Sequence, residues 1–358
     1  MRLLRVELRR LWLRRVTWGG LLLALLIAGL AVLSQISAAT PPSEQEIAEA
    51  EEFYAQELEN WEEYGEEDVA ACEESEADDP DPAADYDCDQ MEPRLEWFLP
   101  TATTFVPAPE MREAGTDGVE PGDGDDPRIA EIQESIWSGW SGIGAAGEYA
   151  AAFLMLAFVV GVSFVTAEQS SGALGMWLTF EPRRSRVYWS KAAASAAGTL
   201  PLVVVGWLAT AGGIYTLHAV LGTVGEVSGE DWAEIAGFSV RLVAAGAACA
   251  AIGTALGVLL RHAVAAVGAA AVVLWASVAF AFSFGSAQRW LPTVNLTAWL
   301  EGGTRFEVAE NVRDEAGVVT TTWTTEVVSA TQGGLYLLAV VAVLTLAALV
   351  VFRRKDVS

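Results

Sequence analysis

Lysine, histidine and cysteine are scarce in this chain of 358 residues, which has two Lys, two His and three Cys. Each shortage excludes a chemistry. A phosphate-cradling P-loop needs Gly-x-x-x-x-Gly-Lys followed by Ser or Thr, and neither Lys191 nor Lys355 stands in that setting. His218 and His262 cannot supply the His pair and glutamate of a zinc-hydrolase helix. Gly161-Val-Ser163 with His218 lacks the glycine that should follow an intramembrane nucleophilic serine, because Phe164 stands there. Asp85, Asp87 and Asp89 with Glu96 at the twelfth position have calcium-loop spacing, but the sixth position is Gln90 instead of Gly and Pro93 occupies a ligand position. Solvated acidic sequence is the expectation there. The chain is expected to carry no catalytic residue, metal or cofactor of its own and to bind no nucleic acid.

Charge is also missing from long stretches. The apolar residues gather into six blocks of about 18 to 28 residues, and about 20 apolar residues in a helix cross a ~30 Å hydrocarbon core. The blocks are read as transmembrane helices over 16–37, 149–167, 192–221, 233–260, 263–285 and 334–352, giving an all-α membrane protein. A signal peptide competes for the first block, since six arginines precede an apolar run ending at Ser37-Ala38-Ala39. That run is longer than a usual signal core, and its arginines sit on an amphipathic pattern.

Lys and Arg are unevenly shared between the two sides of these blocks. With the N-terminus inside, fourteen of the 21 basic residues fall on inner segments, and three of the seven outer ones lie in one long loop that the positive-inside rule discounts. Both termini are therefore expected in the cytoplasm of a plasma-membrane protein. All but four of the 47 acidic residues fall outside, so the net charge of −26 describes one face. The basic inner face attracts anionic headgroups.

Residues 1–15 read as an interfacial helix, with Leu4, Leu8, Leu11 and Trp12 on one face and arginines, among them Arg5, Arg9 and Arg10, on the rest. The segment 38–148 is too long for a plain connection and is expected to be an acidic extracellular insert. Ser43 and Glu46 form a capping-box pattern ahead of a helix expected to stop near Gly65. Gly115 to Pro127 is too poor in apolar residues to pack, and an amphipathic segment with Ile129, Ile132, Ile136, Trp137, Trp140 and Ile143 follows it. Cys72 and Cys88 both lie in the insert, where a disulfide is expected to contribute roughly 3 kcal/mol. An outer loop is expected over 286–333 and a short inner tail over 353–358. Gly246, Ala250, Gly253 and Gly257 make a small-residue face suited to close packing within one subunit.

The inner loop 168–191 has the most distinctive order. Glu168 ends the second span and Gly172 follows. A short segment with Leu174 and Trp177 comes next, then Pro182, Arg183 and Arg186, and Lys191 opens the third span. This order resembles the signature loop of ABC-2 type transporter permeases, the transmembrane subunits of ABC exporters. The likeness extends to the basic N-terminal elbow helix, the six-span plan, the Leu291-Pro292-Thr-Val-Asn295 segment and the closing Phe352-Arg-Arg-Lys-Asp356. It covers about 250 residues and says least about the acidic insert.

The resemblance implies a permease that forms the substrate pathway as a homo- or heterodimer and docks a separate ATP-binding subunit, where ATP and Mg reside. Glu168, Gly172, Leu174, Trp177, Pro182, Arg183, Arg186 and Lys191 would serve docking and coupling, and Arg5, Arg9 and Arg10 would anchor the elbow helix. Exposed apolar surface on the loop segment independently suits a docking partner. A second reading is a membrane-anchored sensor or assembly protein whose acidic insert binds an extracellular partner, although six spans exceed what an anchor requires.

Overall fold

The computed structural model describes residues 2–77, 86–107, 136–137, 141–173, 183–313 and 319–354. Leu174, Trp177 and Pro182 of the inner loop lie outside the described residues, as do Asp85, the stretch 115–127 and the tail beyond Arg354. The chain divides into two compact units, one of residues 37–103 and one of the remainder.

The larger unit is a set of long apolar helices. Helix α1 (Arg2–Trp12) ends at a break around Leu13 and Arg14, and α2 (Arg15–Ser34) follows. The short α4 (Gly142–Glu148) starts at Ser141, whose hydroxyl accepts from the Gly144 N–H, and leads into α5 (Ala150–Ser170). Helix α6 (Arg184–Leu221) begins two turns before the apolar run does. Helix α7 (Gly229–Leu260) opens with a reciprocal capping box between Ser228 and Asp231. It is followed by α8 (Ala263–Ala279), α9 (Pro292–Glu301) and α10 (Ala330–Arg354). Among the described residues five segments are long and apolar enough to cross a membrane: Arg15–Ala39, Gly142–Ser170, Arg184–Leu221, Gly229–Leu260 and Ala330–Arg354.

The expected span over 263–285 is not one straight helix. Its helical part stops at Ala279, and the 3-10 segment Ala281–Trp290 leaves at 110°. Gly285 has φ 49° and ψ −137°, a backbone region in practice open only to glycine. The 17 residues of α8 rise only about 26 Å, short of a full hydrocarbon core. The pair is a broken span or a re-entrant turn, and it brings the number of candidate spans to six if counted as one.

Residues 286–333 also hold more than a loop. Strands β1 (Gly303–Arg313) and β2 (Val319–Ser329) pair antiparallel, with Gly303 opposite Ser329 and Arg313 opposite Val319. Val308 and Val328 point to one buried face, while the many β-branched residues of β2 favour the extended backbone.

Close helix approach organises the core. A Cβ on Gly161 of α5 would meet the Ala250 carbonyl oxygen of α7 at 2.3 Å, and one on Gly253 of α7 would meet the Phe158 carbonyl oxygen of α5 at 2.3 Å. The small-residue face of α7 thus packs within the chain, with Gly246 receiving Val203 of α6. Around this seam Phe153, Leu202, Trp207, Ile214, Phe238 and Leu242 form the main core, and Trp207 Nε1 donates to Ser239 Oγ. The outer faces are apolar too. Leu22, Leu26, Leu30 and Leu33 form an exposed stripe along α2, a surface suited to lipid and not to water.

The smaller unit is built on α3 (Glu44–Ala77). Ser43 N and Oγ donate to Glu46 and the Glu46 N–H donates to Ser43 Oγ, which closes the capping box at its start. The helix does not stop at Gly65. Gly65 lies in its middle, covered by the Trp61 ring, and the helix runs three more turns. A mid-helix glycine costs only about 1 kcal/mol, too little to end a helix tethered beyond it. Cys72 is joined to Cys88 with a Cα–Cα distance of 5.8 Å, and Phe98 packs on Phe53 and Tyr54.

Candidate functional site

Five charged side chains from four segments converge where α1, α5 and α6 meet. Glu7 sits on α1, three residues after Leu4 and four before Leu11, so helical spacing puts it on the apolar face. That face packs on α6, where Leu8 and Leu11 press against Gly198. Glu168 lies in the last turn of α5 and Lys191 in the second turn of α6. Glu7, Glu168 and Lys191 are at most 4% exposed.

Lys191 Nζ donates to Glu7 Oε2 at 3.1 Å and also to Glu168. Arg14, in the break between α1 and α2, donates to Glu168 Oε1 at 3.1 Å and to the Ser163 carbonyl oxygen at 3.0 Å. Arg10 lies 3.6 Å from Glu7 and 3.7 Å from Glu168. Phe164 backs the cluster, its ring centre 4.9 Å from Lys191 Nζ and 5.0 Å from the Arg14 guanidinium.

The helix dipoles make this pairing mutual. A carboxylate at a helix C-terminus and a cation at a helix N-terminus are each disfavoured alone. Glu168 occupies such a position in the last turn of α5, and Lys191, two turns into α6, neutralises it across the two helices. Burial of Glu7, Glu168 and Lys191 is tolerable because each of these charges is paired and hydrogen-bonded. The cluster contains no activated nucleophile; its chemistry is to hold three helices and the α1–α2 break in one arrangement.

The remaining described loop residues are distributed around it. Gly172 follows α5 with φ 70°, a left-handed turn that glycine adopts without strain, and among the described residues nothing crowds it. Arg183 stands at the N-cap position of α6 without a side-chain capping bond, and it and Arg186 of the first turn are exposed. Arg5 and Arg9 are exposed on α1, whereas Arg10 is only about a third exposed and turns toward the carboxylates. Glu168 and Lys191 stand out in the sequence as candidate site residues, whereas Glu7, Arg14 and Phe164 do not. Glu7 had a readable signal, an isolated acid on the leucine face of an arginine-rich helix. Arg14 and Phe164 had none beyond their neighbourhood.

Apolar stripes, several uncharged helices of spanning length and charge gathered at helix ends define a multi-pass membrane protein. The chain matches the model of the family described as ABC-2 family transporter protein over residues 1–357. It therefore belongs to the ABC-2 transporter family, as a membrane permease. No curated protein and no solved structure matches it.

Proposed function

We propose that this chain is the permease subunit of an ABC-2 type exporter that forms the substrate pathway and docks a separate ATP-binding subunit through residues 168–191. ATP and Mg would be bound and turned over on that partner. Two permease copies, identical or related, would line the pathway in the plasma membrane, with both termini cytoplasmic and the acidic unit outside. The observation that carries the coupling role is the Lys191 bridge between Glu168 and Glu7. The two ends of the inner loop are joined to each other and to α1 by buried ion pairs. A push on the loop is thereby delivered to α1, α5 and α6 together. Arg5 and Arg9 would rest on headgroups while Arg10 completes the cluster.

Co-expression with a candidate ABC ATP-binding subunit from the same genome tests this reading. The two chains are expected to purify together, and Pro182→Ala or Arg183→Glu is expected to weaken the complex while leaving the permease monodisperse. Absence of a complex, or one indifferent to both substitutions, would reject docking through this loop.

A further inference from the structure

A second cluster of cations lies at the same end of α6 but on its surface. Arg183, Arg184, Arg186 and Trp189 of α6, with Arg353 of α10, line a shallow open cleft of about 550 Å³. Arg184 Nη1 donates to the Arg353 carbonyl oxygen at 3.4 Å, which ties the two helix ends together. Among the described residues neither Arg183 nor Arg353 has an ion-pair partner. The first N–H groups of α6 add positive potential at the cleft. The guanidinium groups of Arg183 and Arg353, lining one cleft, favour a bound anion.

What lies beside the cleft selects the kind of anion. Val350, Leu346 and Val343 stand three, seven and ten residues before Arg353, on the same face of α10, and are 46%, 54% and 65% exposed. Trp189 is 46% exposed at the cleft edge, as suits a ring at headgroup depth. An ionic pocket continuous with an exposed apolar stripe fits an amphiphile. A soluble phosphate or an acidic peptide would use the pocket and leave the stripe uncovered.

We propose that this cleft binds the phosphate headgroup of an anionic membrane lipid, whose acyl chains run along the Val343, Leu346 and Val350 face of α10. The lipid would clamp α10 to the start of α6, about two turns from buried Lys191. This assignment goes beyond the docking reading and is tested without any ATPase, so either can fail alone, although Arg183 and Arg186 belong to both surfaces.

The test uses the full-length permease in nanodiscs of phosphatidylcholine containing phosphatidylglycerol, with native mass spectrometry counting lipids retained per chain. Phosphatidylglycerol is expected to be retained selectively, roughly tenfold less tightly by an Arg183→Gln/Arg353→Gln variant and undiminished by Arg94→Gln. The Arg183→Lys/Arg353→Lys variant keeps the charge and is expected to keep most of the binding, which separates lost charge from lost fold. Excess inorganic phosphate is expected not to displace the lipid. Displacement by phosphate, equal retention of phosphatidylcholine, or retention unaffected in the Gln variant would each overturn the proposal.

Discussion

Lys191 Nζ lies 3.1 Å from Glu7 Oε2, a buried contact between residues 184 positions apart. Removing one member of a buried pair typically costs about 3–5 kcal/mol, because the abandoned charge stays buried, whereas removing both costs much less. Lys191→Met is therefore expected to lower the thermal midpoint of the purified permease strongly. In a double-mutant cycle, Glu7→Gln with Lys191→Met is expected to lose clearly less than the two single losses combined. Additive losses would show that the pair is not coupled.

The α5–α7 seam has no room for a side chain at two positions. Gly161→Val and Gly253→Val each drive a side chain into a backbone carbonyl. Both are expected to cost at least about 1–3 kcal/mol and to abolish the monodisperse peak in size-exclusion chromatography. Gly212→Ala on α6, with open space around its Cα, is expected to behave as wild type.

Cys72 and Cys88 close a loop with a sequence separation of 16 in the smaller unit. A membrane-impermeant maleimide on intact cells is expected to label neither residue until a reductant is added. Reduction is expected to remove roughly 3 kcal/mol from this unit, seen as faster amide exchange along α3. Labelling of both cysteines without reductant would exclude the bond in the cell.

Glu301 ends α9, beyond the bent segment, and desolvation pushes its carboxyl up to about 7 against the opposing field of Arg241. The folded state thus holds a proton that the unfolded chain releases near its ordinary value of 4.5. Stability contributed by that proton is complete below 4.5 and is lost as pH rises through about 7. Glu301→Gln removes this dependence. Relative to wild type, the variant is expected to gain thermal stability as pH rises across that window, and a difference independent of pH would contradict the assignment.

The long helices were legible because uncharged runs of spanning length permit little else. The ends of the inner loop were legible as Glu168 and Lys191, since ionisable residues at span ends stand out. Their buried partner Glu7 was not, because among so many arginines it reads as one more surface charge until its place between Leu4 and Leu11 is noticed. Gly65 misled: helix capping, the Trp61 ring and the disulfide beyond it outweigh one glycine. The bend after Ala279 depends on the backbone of Gly285, for which an apolar run gives no warning. The hairpin did leave a trace in the β-branched run Val319-Thr-Thr-Thr-Trp-Thr-Thr-Glu-Val-Val328, which β-propensity favours as a strand.

Docking through the inner loop is tested most directly at Ser171, exposed beside Gly172 at the start of that loop. Ser171→Cys in a Cys249→Ala background is expected to react readily with maleimide in the permease alone and to be protected severalfold once the ATPase partner is bound. Equal labelling of the free and bound permease would contradict docking at this loop.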